Sequence, residues 1–220
     1  MKGKRVIVGF CFLLSCGILL SSCVKVNSGE TIVLIGQEAY IDNIEELFAD
    51  FKPSFDSVKK KMGIIYEGPV PPKIEGGYVM DTTLLVASNV DYMSDTVAMP
   101  EVYLRFNRQH NGIVTLDFKE SSIRQGKDTV FVMGNDKGFT VYFKEKRKFK
   151  QLYDGKVYHV TMKRGIIMCG SVTPGGLSDF RYASIVMDTE DDSNGVLPQY
   201  DPGTYLIYED SDRMADTCTW

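Results

Sequence analysis

Residues 102–118, VYLRFNRQHNGIVTLDF, decide how this chain folds. Val102, Leu104 and Phe106 alternate with polar neighbours, and Val114, Leu116 and Phe118 do the same after His110-Asn111-Gly112. A period of two marks strands with one buried face. Asn-Gly between two such runs predicts a tight hairpin, because both turn residues tolerate positive φ. The pattern repeats outward. Asp128–Met133 and Phe139–Glu145 flank Asn135-Asp136-Lys137-Gly138; Asp154-Gly155 turns the chain into Lys156–Met162, and Gly165–Ser171 continues it. Gly175-Gly176 precedes Phe180–Met187, and Gly203–Glu209 closes the series. Upstream, Tyr78, Met80, Thr82, Leu84 and Val86 alternate along one face.

Eight or nine strands on short connections, with no helical period among them, predict antiparallel neighbours in a meander. A sheet of that size curls shut or splits into two layers, and closure removes aggregating edges. The expected fold is mainly β: an antiparallel meander β-barrel, with a β-sandwich as the alternative.

A short helical segment precedes these strands. Ile32–Ile35 is a brief apolar run; then Ile44, Leu47, Phe48 and Phe51 fall on one helical stripe. Pro53 can open a second helix, whose stripe is Phe55, Val58 and Met62 before Gly63. Gly68-Pro69-Val70-Pro71-Pro72 is a stiff connector that separates this helical head from the body. The expected organisation is a signal at 1–22, a tether at 23–36, the helical segment and connector at 37–72, and the β body at 73–220.

The chain has 220 residues and a formal charge of −4. Removing the signal leaves 22 basic against 29 acidic residues, or −7, a surface that argues against nucleic acid as a partner. Lys2, Lys4 and Arg5 form a basic start, and Val6–Leu20 is a charge-free run of fifteen residues. As a helix it spans about 22 Å, short of the roughly 30 Å hydrocarbon core, so it reads as an export signal.

Leu20-Ser21-Ser22-Cys23 follows, and it resembles the lipobox of bacterial lipoproteins. The resemblance implies cleavage before Cys23 and acylation of its sulfur. It also implies attachment to the lipid bilayer, with Val24 directing the protein to the outer membrane. Two or more acyl chains give stable anchoring where one does not. Ile74-Glu75-Gly76-Gly77-Tyr78 is similar to the Gly-x-Trp opening of lipocalin-like (calycin) barrels, with Tyr in place of Trp. Lipobox, tether and all-β body together resemble uncharacterised surface lipoproteins of Gram-negative bacteria.

After processing, the remaining cysteines are Cys169 and Cys218. A disulfide between them would close a loop of 49 residues, worth roughly 4 kcal/mol by chain entropy. Two separate thiols are the alternative.

Residues that could carry chemistry are few. His110 falls on a hairpin turn and His159 in mid-strand, and no nucleophile elbow, zinc-binding helix, phosphate loop or Cys-x-x-Cys appears. Calcium is the one cofactor the sequence raises: Glu190, Asp192, Asn194, Gly195 and Asp201 occupy positions 1, 3, 5, 6 and 12 of a calcium loop. Glu at position 1, the short Asp at 12 and Pro198 favour a solvated acidic loop instead. The basic run Lys144–Lys150 reads as a solvated strand end or a membrane-surface contact. Tyrosines from Tyr78 to Tyr208 could line a ligand cup, or simply pack.

The expected function is a membrane-anchored, non-enzymatic envelope lipoprotein that binds a small hydrophobic or carbohydrate ligand or another envelope protein. An envelope hydrolase and an assembly subunit are the alternatives.

Overall fold

The computed structural model describes residues 31–34, 43–90, 98–99, 101–120, 124–191 and 200–220. It is mainly antiparallel β. The strands are β1 (Thr31–Leu34), β2 (Gly76–Met80), β3 (Thr83–Ser88), β4 (Ala98–Met99), β5 (Val102–His110), β6 (Ile113–Glu120), β7 (Arg124–Asn135), β8 (Gly138–Tyr153), β9 (Lys156–Val172), β10 (Gly176–Asp191), β11 (Tyr205–Asp210) and β12 (Met214–Thr217). Two helices, α1 (Ile44–Leu47) and α2 (Lys52–Met62), are joined by a 3-10 turn at Ala49–Phe51.

Neighbouring strands β5 to β10 pair in sequence order as an antiparallel meander. β10 then pairs β12, β12 pairs β2, and β2 pairs β5, so the hydrogen bonding returns to its start as a ring of eight strands. This closure agrees with the expected barrel and equally with its sandwich alternative. The remaining strands extend from the ring: β1 pairs β8, while β11, β3 and β4 follow on from β10.

The deciding hairpin forms as its sequence predicts. Asn111 and Gly112 sit at φ 48° and 75°, and His110 pairs directly with Ile113. Asp154 and Gly155, at 47° and 72°, repeat the device between β8 and β9.

Two expectations are corrected. Tyr78 to Val86 is not one alternating strand: the chain bends at Asp81-Thr82, and the buried positions change phase from Tyr78 and Met80 to Thr83, Leu85 and Ala87. Asp210 holds the bend by accepting from Thr82 N at 3.4 Å. The strands around the basic run are also longer than expected. β8 runs unbroken through it, and Lys156–Met162 joins Gly165–Ser171 in one strand of 17 residues. Within the run Glu145, Arg147 and Phe149 are buried, and that alternation makes it a strand with one lysine face.

Three clusters divide the buried apolar residues, the smallest being Phe149, Val160, Met162 and Val186. Every strand of the ring sends side chains into the first, including Leu104, Phe106, Leu116, Phe139, Phe180 and Met80. The second lies on the outside, where the helical stripes cover β9, β10 and β11: Ile44, Phe48, Phe55 and Val58 pack on Ile167, Cys169, Ile185 and Ile207. The helical segment therefore does not stand apart as a head. Asn43 caps α1 by accepting from Glu45 N at 2.8 Å, and Pro53 opens α2 in the first turn, where its missing N–H costs nothing.

Candidate functional site

Each strand of the hairpin has two faces, and each face builds a different kind of site. The inward face lines the ring. At one end Val102, Leu104, Phe118, Ile166 and Met168 surround a small cavity into which Glu145, Arg164 and Tyr182 also reach. Arg164 Nε donates to Glu145 Oε2, and both side chains are largely withdrawn from water. Burial opposes the Arg164 charge, but the adjacent Glu145 carboxylate outweighs it and holds the guanidinium pKa above its usual value. The cavity measures about 50 Å³. At roughly 10–15 Å³ per water it has room for a few water molecules and none for an acyl chain.

The outward face carries a polar cleft of about 510 Å³ across β5, β6 and β7. Register places Arg105 opposite Asp117, and Asp117 opposite Lys127, so the three form a row perpendicular to the strands. Arg105 donates from Nε and Nη2 to Asp117 Oδ2 at 3.0 and 2.9 Å, and Asn107 Nδ2 donates to the same oxygen at 3.3 Å. Lys127 Nζ lies 3.4 Å from Asp117 Oδ1. Asp117 is only 8% exposed, while Lys127 is 66% exposed, so a pinned carboxylate is flanked by a solvent-exposed cation. The Arg105 guanidinium also sits 4.8 Å from the ring centroid of Trp220.

A bulge shapes the cleft rim. The β5–β6 register shifts between Asn107 and His110, and Arg108 takes φ 55°. Gln109 fastens this bulge to the proline connector: its Nε2 donates to Pro72 O at 2.9 Å, and its Oε1 accepts from Ile74 N at 2.8 Å. Gln109 N donates to Glu75 Oε1 at 2.9 Å, which fixes a second carboxylate at the cleft.

The residues singled out from sequence are dispersed. Glu190 is exposed on β10 opposite Thr161, and Asp201 is exposed in the bend before β11. Asp192 and Asn194 lie outside the described residues, as does Cys23. Among the described residues no group of three or more His, Cys, Asp or Glu side chains gathers to hold a metal.

Of the two readings of the remaining cysteines, the structure has the separate thiols: Cys169 and Cys218 are both free. Cys169 lies buried beneath the helices, opposite Thr140 and Arg181, and burial pushes its pKa up to about 12. Cys218 sits past the end of β12 beside Gly77, to whose carbonyl its N–H donates at 2.9 Å. His110 and His159 are exposed on separate hairpins.

The tyrosines go largely into packing: Tyr182 stacks on Tyr208 at 4.6 Å, Tyr142 on Phe131 at 5.4 Å, and Tyr78 donates to Ile74 O at 3.1 Å. The Arg105–Asp117–Lys127 row is not legible in the sequence, because the bulge sets which residues face one another.

The fold and cleft define a β protein with a packed ring and a polar outer groove. Comparison with protein-family models, curated proteins and solved structures finds no match to this chain.

Proposed function

We propose that this chain is a non-catalytic envelope lipoprotein, held to the outer membrane through acylated Cys23, that takes a carbohydrate-class ligand in its outer cleft. The observation that carries the ligand half is the contrast between the two faces of one hairpin. A cavity of about 50 Å³ inside the ring has no room for a small hydrophobic ligand, whereas about 510 Å³ outside falls in the range of ligand pockets.

Sugar hydroxyls need paired donors and acceptors, and the cleft supplies guanidinium, amide and carboxylate groups already fixed by one another. Arg105, Arg108 and Lys127 outnumber Glu75 and Asp117 there, which favours an acidic sugar. The anchor half is supported by the basic start, the charge-free run and Leu20–Cys23. The non-catalytic reading is supported by the buried thiol of Cys169 and by the separation of His110 from His159.

Trp220 is the only tryptophan of the chain, so its fluorescence reports on the cleft through Arg105. Titration with uronic-acid oligosaccharides is expected to change that emission saturably, more strongly than neutral oligosaccharides do. Asp117→Ala is expected to weaken the response at least tenfold. Absence of a response to both sugar classes, or a response that Asp117→Ala leaves intact, would overturn the ligand assignment.

A further inference from the structure

β8 leaves the helix-covered part of the sheet at Tyr142, and its next outward positions are Lys144, Lys146, Lys148 and Lys150. Glu145, Arg147 and Phe149 turn to the buried face between them. On the neighbouring strand Lys163 lies opposite Lys146, and the exposed His159 opposite Lys150. Among the described residues, the acidic groups facing this stripe are Asp188, 3.3 Å from Lys163, and Glu190.

Among the described residues, five lysines thus stand against two carboxylates on the outward face of three adjacent strands, in a chain whose formal charge is −4. None of the four β8 lysines is paired with a carboxylate among the described residues. Lys146 lies directly across from Lys163, a like-charge pair that Asp188 offsets on the Lys163 side only.

The chain itself brings this face to a bilayer. β1 pairs with the same stretch of β8, Thr31 opposite Lys148 and Val33 opposite Lys146. Thr31 is eight residues after Cys23, so fully extended chain puts Lys148 within about 28 Å of the acylated sulfur, plus one strand spacing.

We infer that the lysine stripe of β8 and β9 is a membrane-docking face that rests on the anionic headgroups of the bilayer holding Cys23. The inference rests on the lipoprotein reading and adds an orientation to it. Attraction to anionic lipid strengthens by about fivefold for each lysine near the surface and falls with salt. The stripe then lies against the membrane while the acidic remainder of the surface is repelled from it.

The test uses the acylated protein purified from envelopes. It is reconstituted into vesicles of phosphatidylcholine alone, or of phosphatidylcholine and phosphatidylglycerol in equal parts. Acetylation of each lysine is followed by mass spectrometry. Labelling of Lys144, Lys146, Lys148 and Lys150 is expected to fall severalfold in the anionic vesicles and to recover at high salt. Lys127 and Lys137 should label alike in both.

Replacing the two exposed members, Lys148→Gln with Lys150→Gln, should halve the difference or more at an unchanged unfolding midpoint. Equal labelling in the two vesicles, with the protein still bound to both, would overturn the docking face and leave the anchor standing. Protection in native envelopes but not in phosphatidylglycerol vesicles would overturn it in favour of an acidic protein partner. Protein without acyl mass, failing to sediment with phosphatidylcholine vesicles, would overturn the anchor and the docking face with it.

Discussion

At Gly165 the ring of Phe48 occupies the space a β-carbon would take: an added Cβ would meet Phe48 Cε1 at 2.1 Å. The helices reach the sheet through this contact, and Phe48 in turn stacks on Phe55 at 4.8 Å. Gly165→Ala is expected to destabilise the protein by about 1–3 kcal/mol in urea unfolding, since the ring has no open space to move into. Phe48→Leu in the same chain should return part of that loss.

Cys169 gives a second expectation at this scale. Its folded-state pKa is raised to about 12 from an ordinary 9, so its contribution to stability is full below pH 9. It is lost as pH rises from 9 through 12, because the unfolded chain releases the proton first. Unfolding followed from pH 7 upward should show that decline, and Cys169→Ala should flatten it. Iodoacetamide at pH 8 should label Cys218 in the folded protein and reach Cys169 only on unfolding.

Among elements, the hairpin at 102–118 was legible down to its turn, and the sequence also held an unused signal for its bulge. His110 opposite Ile113 would, without interruption, place Phe106 opposite Asp117 and put one strand's apolar face against the other's polar face. One extra residue restores Phe106 to Leu116 and Leu104 to Phe118. That same shift creates the Arg105–Asp117 pair, so the cleft was hidden behind a register that the turn alone does not set. The length of β8 was missed for a related reason: a run rich in lysine masks the alternation of Glu145, Arg147 and Phe149 beneath it. β12 was missed because Met214–Thr217 is too short to show a period.

The Glu145–Arg164 pair ties β8 to β9 across the cavity. Arg164→Met is expected to cost about 3–5 kcal/mol by leaving a buried carboxylate alone, while adding Glu145→Leu should recover most of it. Equilibrium denaturation of the single and double variants checks this. Equal losses in both would show that the pair is not what holds the strands there.

For the whole molecule, sequence periods identified both the strands and the helical stripes, yet not how they meet. Helix and strand share a core because β8, β9 and β10 are apolar on both faces where the ring joins the outer sheet: Ile166 and Met168 face inward, and Ile167 and Cys169 lie under the helices. A continuous apolar run such as Gly165–Cys169 signals burial on two sides but names neither neighbour.

The proposed address and the proposed orientation both depend on a lipid at one sulfur. Intact-mass and peptide-level mass spectrometry of the protein taken from native envelopes tests this most directly. The expected result is a mature chain that begins at Cys23 and carries diacylglyceryl mass on that cysteine. A chain that retains Met1, or one cut elsewhere with an unmodified Cys23, would contradict it.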